Sequence, residues 1–394
     1  MLDRYMFSLP NILFFIFVIY ALCTVFLSAS IPASGLGLGE TPWVRSIKQS
    51  VYLPLVFVAL ILVQFVVRDL SQLEKCMRSY IYSLLILCVF GCYQFVSFTF
   101  GLPYPDFLHN NISIPAGYQQ YYGDVKRVSS LSGEPAMFGF LLVGVLGYML
   151  PFVLNGIYII YNNIVTFIVF IVIFITAIFT TSFSTYLALF LLFIFIFMEL
   201  LVTRKYYLFL IIAVLMFVIL SLIMLSDNIF THRLNESLSG ESYSTNIRVQ
   251  MALTAIFIFI DHPLFGVGIG NYGFYVNEYS DVMVDKFWEP MGMLFKLLAE
   301  LGVVGIVLFI LPLLLVLLRV VKKCDFKSKT NHIDLNIKGL VYGMLITLLV
   351  SLFTIPSISW LNIWLFIGFL FSVDRMSNKN ILLSWDREGR GSVT

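Results

Sequence analysis

A chain of 394 residues with 60% apolar residues, 39 phenylalanines and only 12% charged residues is not a soluble domain, where apolar residues make up about half and charged ones about a quarter. A mean hydropathy of +0.95 and a net charge of +2 exclude a basic nucleic-acid-binding protein and leave a polytopic, all-α membrane protein. Apolar runs long enough to cross roughly 30 Å of hydrocarbon at about 1.5 Å per helical residue predict about ten spans, at 11–30, 50–67, 79–100, 135–155, 157–180, 183–202, 206–226, 294–318, 338–355 and 358–373. The first follows Arg4 and precedes Ser28-Ala29-Ser30 as a cleaved leader would, but its long apolar part predicts an uncleaved anchor. Between the fifth and sixth, Thr180-Thr181-Ser182-Phe183-Ser184-Thr185 predicts a small polar turn.

Lys and Arg are retained on the cytoplasmic side during insertion. With ten spans and the N-terminus inside, the cytoplasmic segments collect most of the 24 basic residues, including Arg68, Lys75, Arg78, Arg204, Lys205 and a cluster from Arg319 to Lys338. Both termini are therefore expected in the cytoplasm, and 319–337 is a basic cytoplasmic loop. Segments 31–49, 101–134 and 227–293 then lie on the outer face, and 1–394 reads as one integral membrane domain without internal repeats.

The 101–134 loop carries Tyr121 and Tyr122, whose rings suit sugar faces and equally suit an aromatic belt at the interface. It then runs from Arg127 to Glu134-Pro135 at the mouth of the fourth span, where a carboxylate is costly unless solvated, paired or used. In the 227–293 loop, Arg248 and Arg233 offer guanidinium groups that can grip phosphate oxygens or pair with Glu236, Glu241 or Asp281. Val249 to Ile260 is apolar and helical in character, too short to span, and predicted to end at Asp261-His262-Pro263, because the residue before a proline leaves the helical region. Gly266, Gly268 and Gly270 permit a tight backbone path, and Asn271-Tyr272 adds hydrogen-bonding groups and a ring for stacking. His262, before a proline, reads as a hydrogen-bonder at the helix end sooner than as a base.

Cys23, Cys88 and Cys92 fall in spans and Cys76 and Cys324 on the cytoplasmic side, so neither a disulfide framework nor a metal-ligand spacing is expected, and no cofactor is implied. Asn111-Ile-Ser113 and Asn235-Glu-Ser237 are chance matches to a glycosylation sequon.

Three features resemble the superfamily of Wzy-type O-antigen polymerases and O-antigen ligases: Arg127 to Glu134-Pro135 entering a span, the polar turn at Thr181-Ser182-Phe183-Ser184, and Arg248 followed by a helix and His262-Pro263-Leu264-Phe265-Gly266-Val267-Gly268. The resemblance implies a glycosyltransferase bundle of the GT-C-like kind, with a large external loop between late helices, in the bacterial inner membrane. It implies metal-independent transfer from an undecaprenyl-diphosphate-linked oligosaccharide, in contact with membrane lipids and alongside a chain-length regulator and a flippase, to build O-antigen or capsule. On that reading Arg248, Arg127 and Arg233 bind the diphosphate, Tyr121, Tyr122, His262 and Tyr272 line the substrate, and Glu134 or Glu289 takes the acceptor proton. One departure matters. Ligases carry a histidine shortly before the span that follows the loop, and Trp288 to Gly302 contains none, so Glu289 is the expected stand-in, as a carboxylate of raised pKa. The rival readings are a ligase acting on lipid A-core and a lipid-linked oligosaccharide flippase. The second is disfavoured by nearly uncharged spans without obvious broken helices.

Overall fold

The computed structural model describes residues 8–31, 40–103, 121–122, 125–205, 243–280, 289–325, 331–355 and 357–378. Its helices are α1 (Leu9–Cys23, extended by a 3₁₀ stretch Thr24–Ser30), α2 (Pro42–Val66), α3 (Leu70–Phe100), α4 (Pro135–Asn155), α5 (Asn163–Phe179), α6 (Phe183–Val202), α7 (Tyr243–Asp261), α8 (Tyr272–Tyr279), α9 (Met293–Lys296), α10 (Gly302–Lys323), α11 (His332–Thr354) and α12 (Leu361–Asn378). A π turn, Leu297–Leu301, joins α9 to α10. A two-residue ladder pairs Tyr121 with Lys126 and Tyr122 with Val125.

Among the described residues seven helical segments are long and apolar enough to cross a membrane. Of the other expected spans, 157–180 is the 17-residue α5, 358–373 corresponds to α12, and 206–226 lies outside the described residues. The polar turn forms where expected: α5 stops at Phe179, Thr181 takes a φ of 44°, and α6 starts at Phe183.

The chain divides into two compact units, each assembled from separated stretches: 1–65, 222–319 and 351–371 in the first, 66–221, 320–350 and 372–394 in the second. In the first, α1 and α2 form an antiparallel pair tied at both ends. Asn11 and Gln64 exchange two hydrogen bonds of 3.0 Å, and Ser28 meets Ser46 at 2.6 Å. Polar side chains that satisfy each other are the economical way to join helices in lipid, where apolar contact alone discriminates little. Phe14 of α1 packs on Phe309, Trp364 and Phe371 with ring centroids 5.4–5.9 Å apart, which makes the apolar centre of this unit.

In the second unit α4 is the central helix. Pro135 opens it at a position where the missing N–H costs nothing. A Cβ at Gly139 would overlap Thr185 of α6, and one at Gly147 would meet the backbone of Gly343 of α11 at 2.8 Å, so small residues set how closely these helices cross. Glu199 of α6 and Lys338 of α11, both buried, pair at 3.2 Å. Tyr342 donates to the same carboxylate at 2.8 Å and Asn155 of α4 at 3.4 Å, so this ion pair is enclosed by side chains of its own unit.

Candidate functional site

The site starts from a defect in a span. The apolar run 294–318 reads as one continuous helix, but the structure breaks it: after the π turn, Gly302 adopts φ 63° and ψ −165° before α10 begins. The expectation of unbroken spans is thus corrected. A break leaves backbone carbonyls and amides without helical partners, which is costly away from water. The segment after α7 supplies them. Val267 and Gly268 donate to the carbonyls of Ala299 and Glu300, both at 2.9 Å, while Val303 and Val304 donate back to the carbonyls of Pro263 (2.9 Å) and Leu264 (3.3 Å). Tyr20 of α1 donates to the Leu301 carbonyl at 2.7 Å.

This docking explains the glycines. Gly266, Gly268 and Gly270 have φ of 67°, 90° and 79°, values that residues with a Cβ rarely adopt. A Cβ on Gly266 would overlap the Glu300 carbonyl, and one on Gly302 would overlap that of Leu264. The tight path expected from the sequence is therefore a backbone-to-backbone seat on the broken span.

Helix α7 ends at Asp261, as the Asp-His-Pro sequence predicts. It buries Met251, Thr254, Ala255 and Ile258, a helical stripe, and exposes Leu253, Phe257 and Ile260, as suits a helix at a lipid interface. The buried stripe packs with Val267, Tyr272, Val276 and Ala299. Asn271, also fully buried, locks the turn to α1 and α2: its amide nitrogen donates to Ser28 at 3.0 Å and to the Val267 carbonyl at 2.9 Å, and its oxygen accepts from Ser46 at 2.9 Å.

Beside this lock lies an ionic cluster at the mouths of α2 and α9. Arg45 lies 3.2 Å from one oxygen of Glu289, which also accepts from the Gln49 amide at 2.8 Å. Lys296, only 2% exposed, lies 3.5 Å from the other oxygen and donates to Gln49 at 2.8 Å. Glu40 pairs with Lys48 and, at 3.7 Å, with Arg45. Its hydrogen bond from Lys48 holds its carboxyl below the ordinary value of 4.5. Glu300, 1% exposed, accepts from the Gly270 and Tyr272 amides, while its Oε2 has no hydrogen-bond partner.

Glu289 departs from its expected character. Burial pushes its pKa up, but Lys296, the Gln49 amide and Arg45 together outweigh burial and hold it below 4.5. A carboxylate so paired is a poor proton acceptor, which corrects the raised-pKa base expected from the sequence. Tyr272 is a second correction. It is fully buried and donates to the Met251 carbonyl at 2.9 Å, so its ring is core and offers no face to a sugar.

The other expected residues are distributed as follows. Arg248 is half-buried on α7, three residues before Met251. His262, half-buried at the end of that helix, stands edge-on to Tyr275 with centroids 5.9 Å apart. Arg127 and Glu134 belong to the second unit. There the segment after Arg127 is held by Gln94 of α3, whose side-chain oxygen accepts from the amides of Ser129 (2.9 Å) and Ser130 (2.8 Å). Glu134 is the half-buried N-cap of α4, and its side chain makes no capping bond. Tyr121 and Tyr122 lie in the two-residue ladder, and Arg233 lies outside the described residues. Sequence reasoning missed Arg45, Gln49 and Lys296 as a group. The available signal was that charges at two span mouths fall on the same predicted side. Among the described residues no three or more His, Cys, Asp or Glu side chains come together as a metal site.

Residues 168–310 match a family model described as O-antigen ligase. The match runs from within α5 into α10 and takes in the Thr181 turn, Arg248, the docked glycine segment, Glu289 and Lys296. No curated protein shows significant similarity to the chain.

Proposed function

We propose, proceeding from a chain that belongs to the O-antigen ligase and polymerase superfamily, that this protein is the polymerase that joins undecaprenyl-diphosphate-linked oligosaccharide units into a surface polysaccharide. In the reaction the acceptor hydroxyl oxygen bonds to the donor's anomeric carbon while the bond from that carbon to the diphosphate oxygen breaks. The diphosphate leaves with the electron pair, and the hydroxyl proton passes to a carboxylate. Arg248 and Arg127 are assigned to the leaving diphosphate, because a guanidinium holds phosphate oxygens by two parallel bonds and keeps its charge. Glu134, with a side chain not spent on capping, is assigned the acceptor proton in place of the ion-paired Glu289. The reaction is placed at the outer face of the inner membrane, with both termini cytoplasmic, on the distribution of Lys and Arg along the sequence.

The observation that carries this reading is the family match extending over Arg248 and the segment docked on the broken span. Arg248→Ala, compared at matched protein level, should shorten surface glycans from long chains to single repeat units. Normal long chains would sink the assignment. The family matched by residues 168–310 favours a ligase as second reading, against which stands the lack of a histidine from Trp288 to Gly302. Deletion separates the two: loss of a ligase leaves polymer on the lipid carrier, whereas loss of a polymerase leaves single units on the final acceptor.

A further inference from the structure

The Glu289 carboxylate is held as a bound anion would be. Arg45 and Gln49 face one oxygen and Lys296 faces the other. The three donors sit on helices, α2 and α9, while Glu289 sits on a segment that is neither helix nor strand and is 29% exposed. Lys296 is almost fully buried, and an ammonium in that position requires an anion beside it. The cluster is balanced only while Glu289 is in place: Arg45, Lys48 and Lys296 face Glu40, Glu289 and Glu300. If Glu289 swings out, fixed donors and one uncompensated positive charge remain at the mouth of the broken span.

We infer that Arg45, Gln49 and Lys296 form a diphosphate-binding site, and that Glu289 is an internal anion that the diphosphate displaces. The site is additional to Arg248 and Arg127, and the inference rests on the lipid-diphosphate donor proposed above. Displacement makes Glu289 a competitor rather than a base. While it occupies the donors, only the fraction of molecules with the site open can bind, and apparent affinity falls by that fraction. A carboxylate that served only to tether its segment would have the opposite effect, because its removal would loosen the site.

The test is binding to the purified full-length protein in nanodiscs of zwitterionic lipid, with farnesyl diphosphate and inorganic pyrophosphate as probes. Glu289→Gln should bind farnesyl diphosphate about tenfold tighter than the parent protein. Adding Lys296→Met or Arg45→Gln to Glu289→Gln should abolish the gain, with thermal unfolding midpoints showing that each variant is folded. Unchanged or weaker binding by Glu289→Gln would overturn the inference, as would a gain that survives both second substitutions. Equal competition by phosphatidylglycerol would overturn it too and assign the cluster to bilayer headgroups, whereas competition by pyrophosphate supports it. If Glu289→Gln is unaffected while Arg248→Ala still shortens glycans, the donor reading stands and this inference alone falls. Failure of every protein, parent included, to bind farnesyl diphosphate removes both.

Discussion

The two units each hold a buried lysine facing a glutamate, and the two pairs are built differently. Lys338 and Glu199 are both on helices, at most 1% exposed, and sealed by Tyr342. Lys296 is equally buried, but its partner Glu289 is 29% exposed, sits on irregular backbone and shares its oxygens with Arg45 and Gln49. A closed pair cannot exchange a partner without unfolding a helix, so it serves to hold α6 against α11. An open pair can exchange its anion for another without unfolding a helix. Burial of the cation alone does not distinguish structure from function; the setting of the anion, on a helix and sealed or on irregular backbone and part-exposed, does.

The largest expected effect falls on the closed pair. Lys338→Met leaves Glu199 buried without its cation and should cost about 3–5 kcal/mol, read as a lower unfolding midpoint, with much of the loss restored by adding Glu199→Gln. A mild effect would erase the contrast between the clusters. Next in size is Gly266→Ala, whose methyl would overlap the Glu300 carbonyl at a φ of 67° and should destabilise by about 1–3 kcal/mol. Because it disturbs the seat beside Lys296 and leaves the Glu199 pair untouched, glycan length should fall by more than it does in a second-unit variant of equal stability. The smallest effect is Glu289→Gln, at about 1 kcal/mol, because its carboxylate is 29% exposed and Glu300 remains beside the buried Lys296. Its pH dependence has a definite sign. The folded-state pKa of Glu289 lies below 4.5, so the stability it contributes is present above that value and is lost as pH falls through the folded value. The difference in unfolding midpoint between the parent protein and Glu289→Gln should therefore shrink to zero in acid, and a difference that persists there would show that Glu289 is not held as an ion.

What could be read from the sequence divides along the same line between local and distant interactions. The end of α7 at Asp261, the turn at Thr180–Ser182 and the turn glycines are legible because proline, small polar residues and glycine act on their own backbone. The break at Gly302 is not, because Leu297 to Ile310 looks like any apolar span and the break survives only through partners at Pro263, Leu264, Val267 and Gly268. Lys296 and Glu300 fall in the sequence in the first turns of a span, yet both are buried, and Lys296 is held by Gln49, some 250 positions earlier in the chain. Glu289 is misread for the same reason. Its neighbours in sequence are apolar and would raise its pKa, whereas its neighbours in space are cations.

The polar ties between α1 and α2 also set an order of assembly. Asn11 and Gln64, 53 residues apart, satisfy one another as soon as both helices are in the membrane, so this end of the hairpin is complete early in synthesis. At the other end Ser28 and Ser46 meet each other, and Asn271, which leaves the ribosome 225 residues after Ser46, later adds a bond to each. Both ends of the hairpin can thus join within the first 64 residues, and the residue that braces its Ser28–Ser46 end arrives on the same segment that fills the break in the late span.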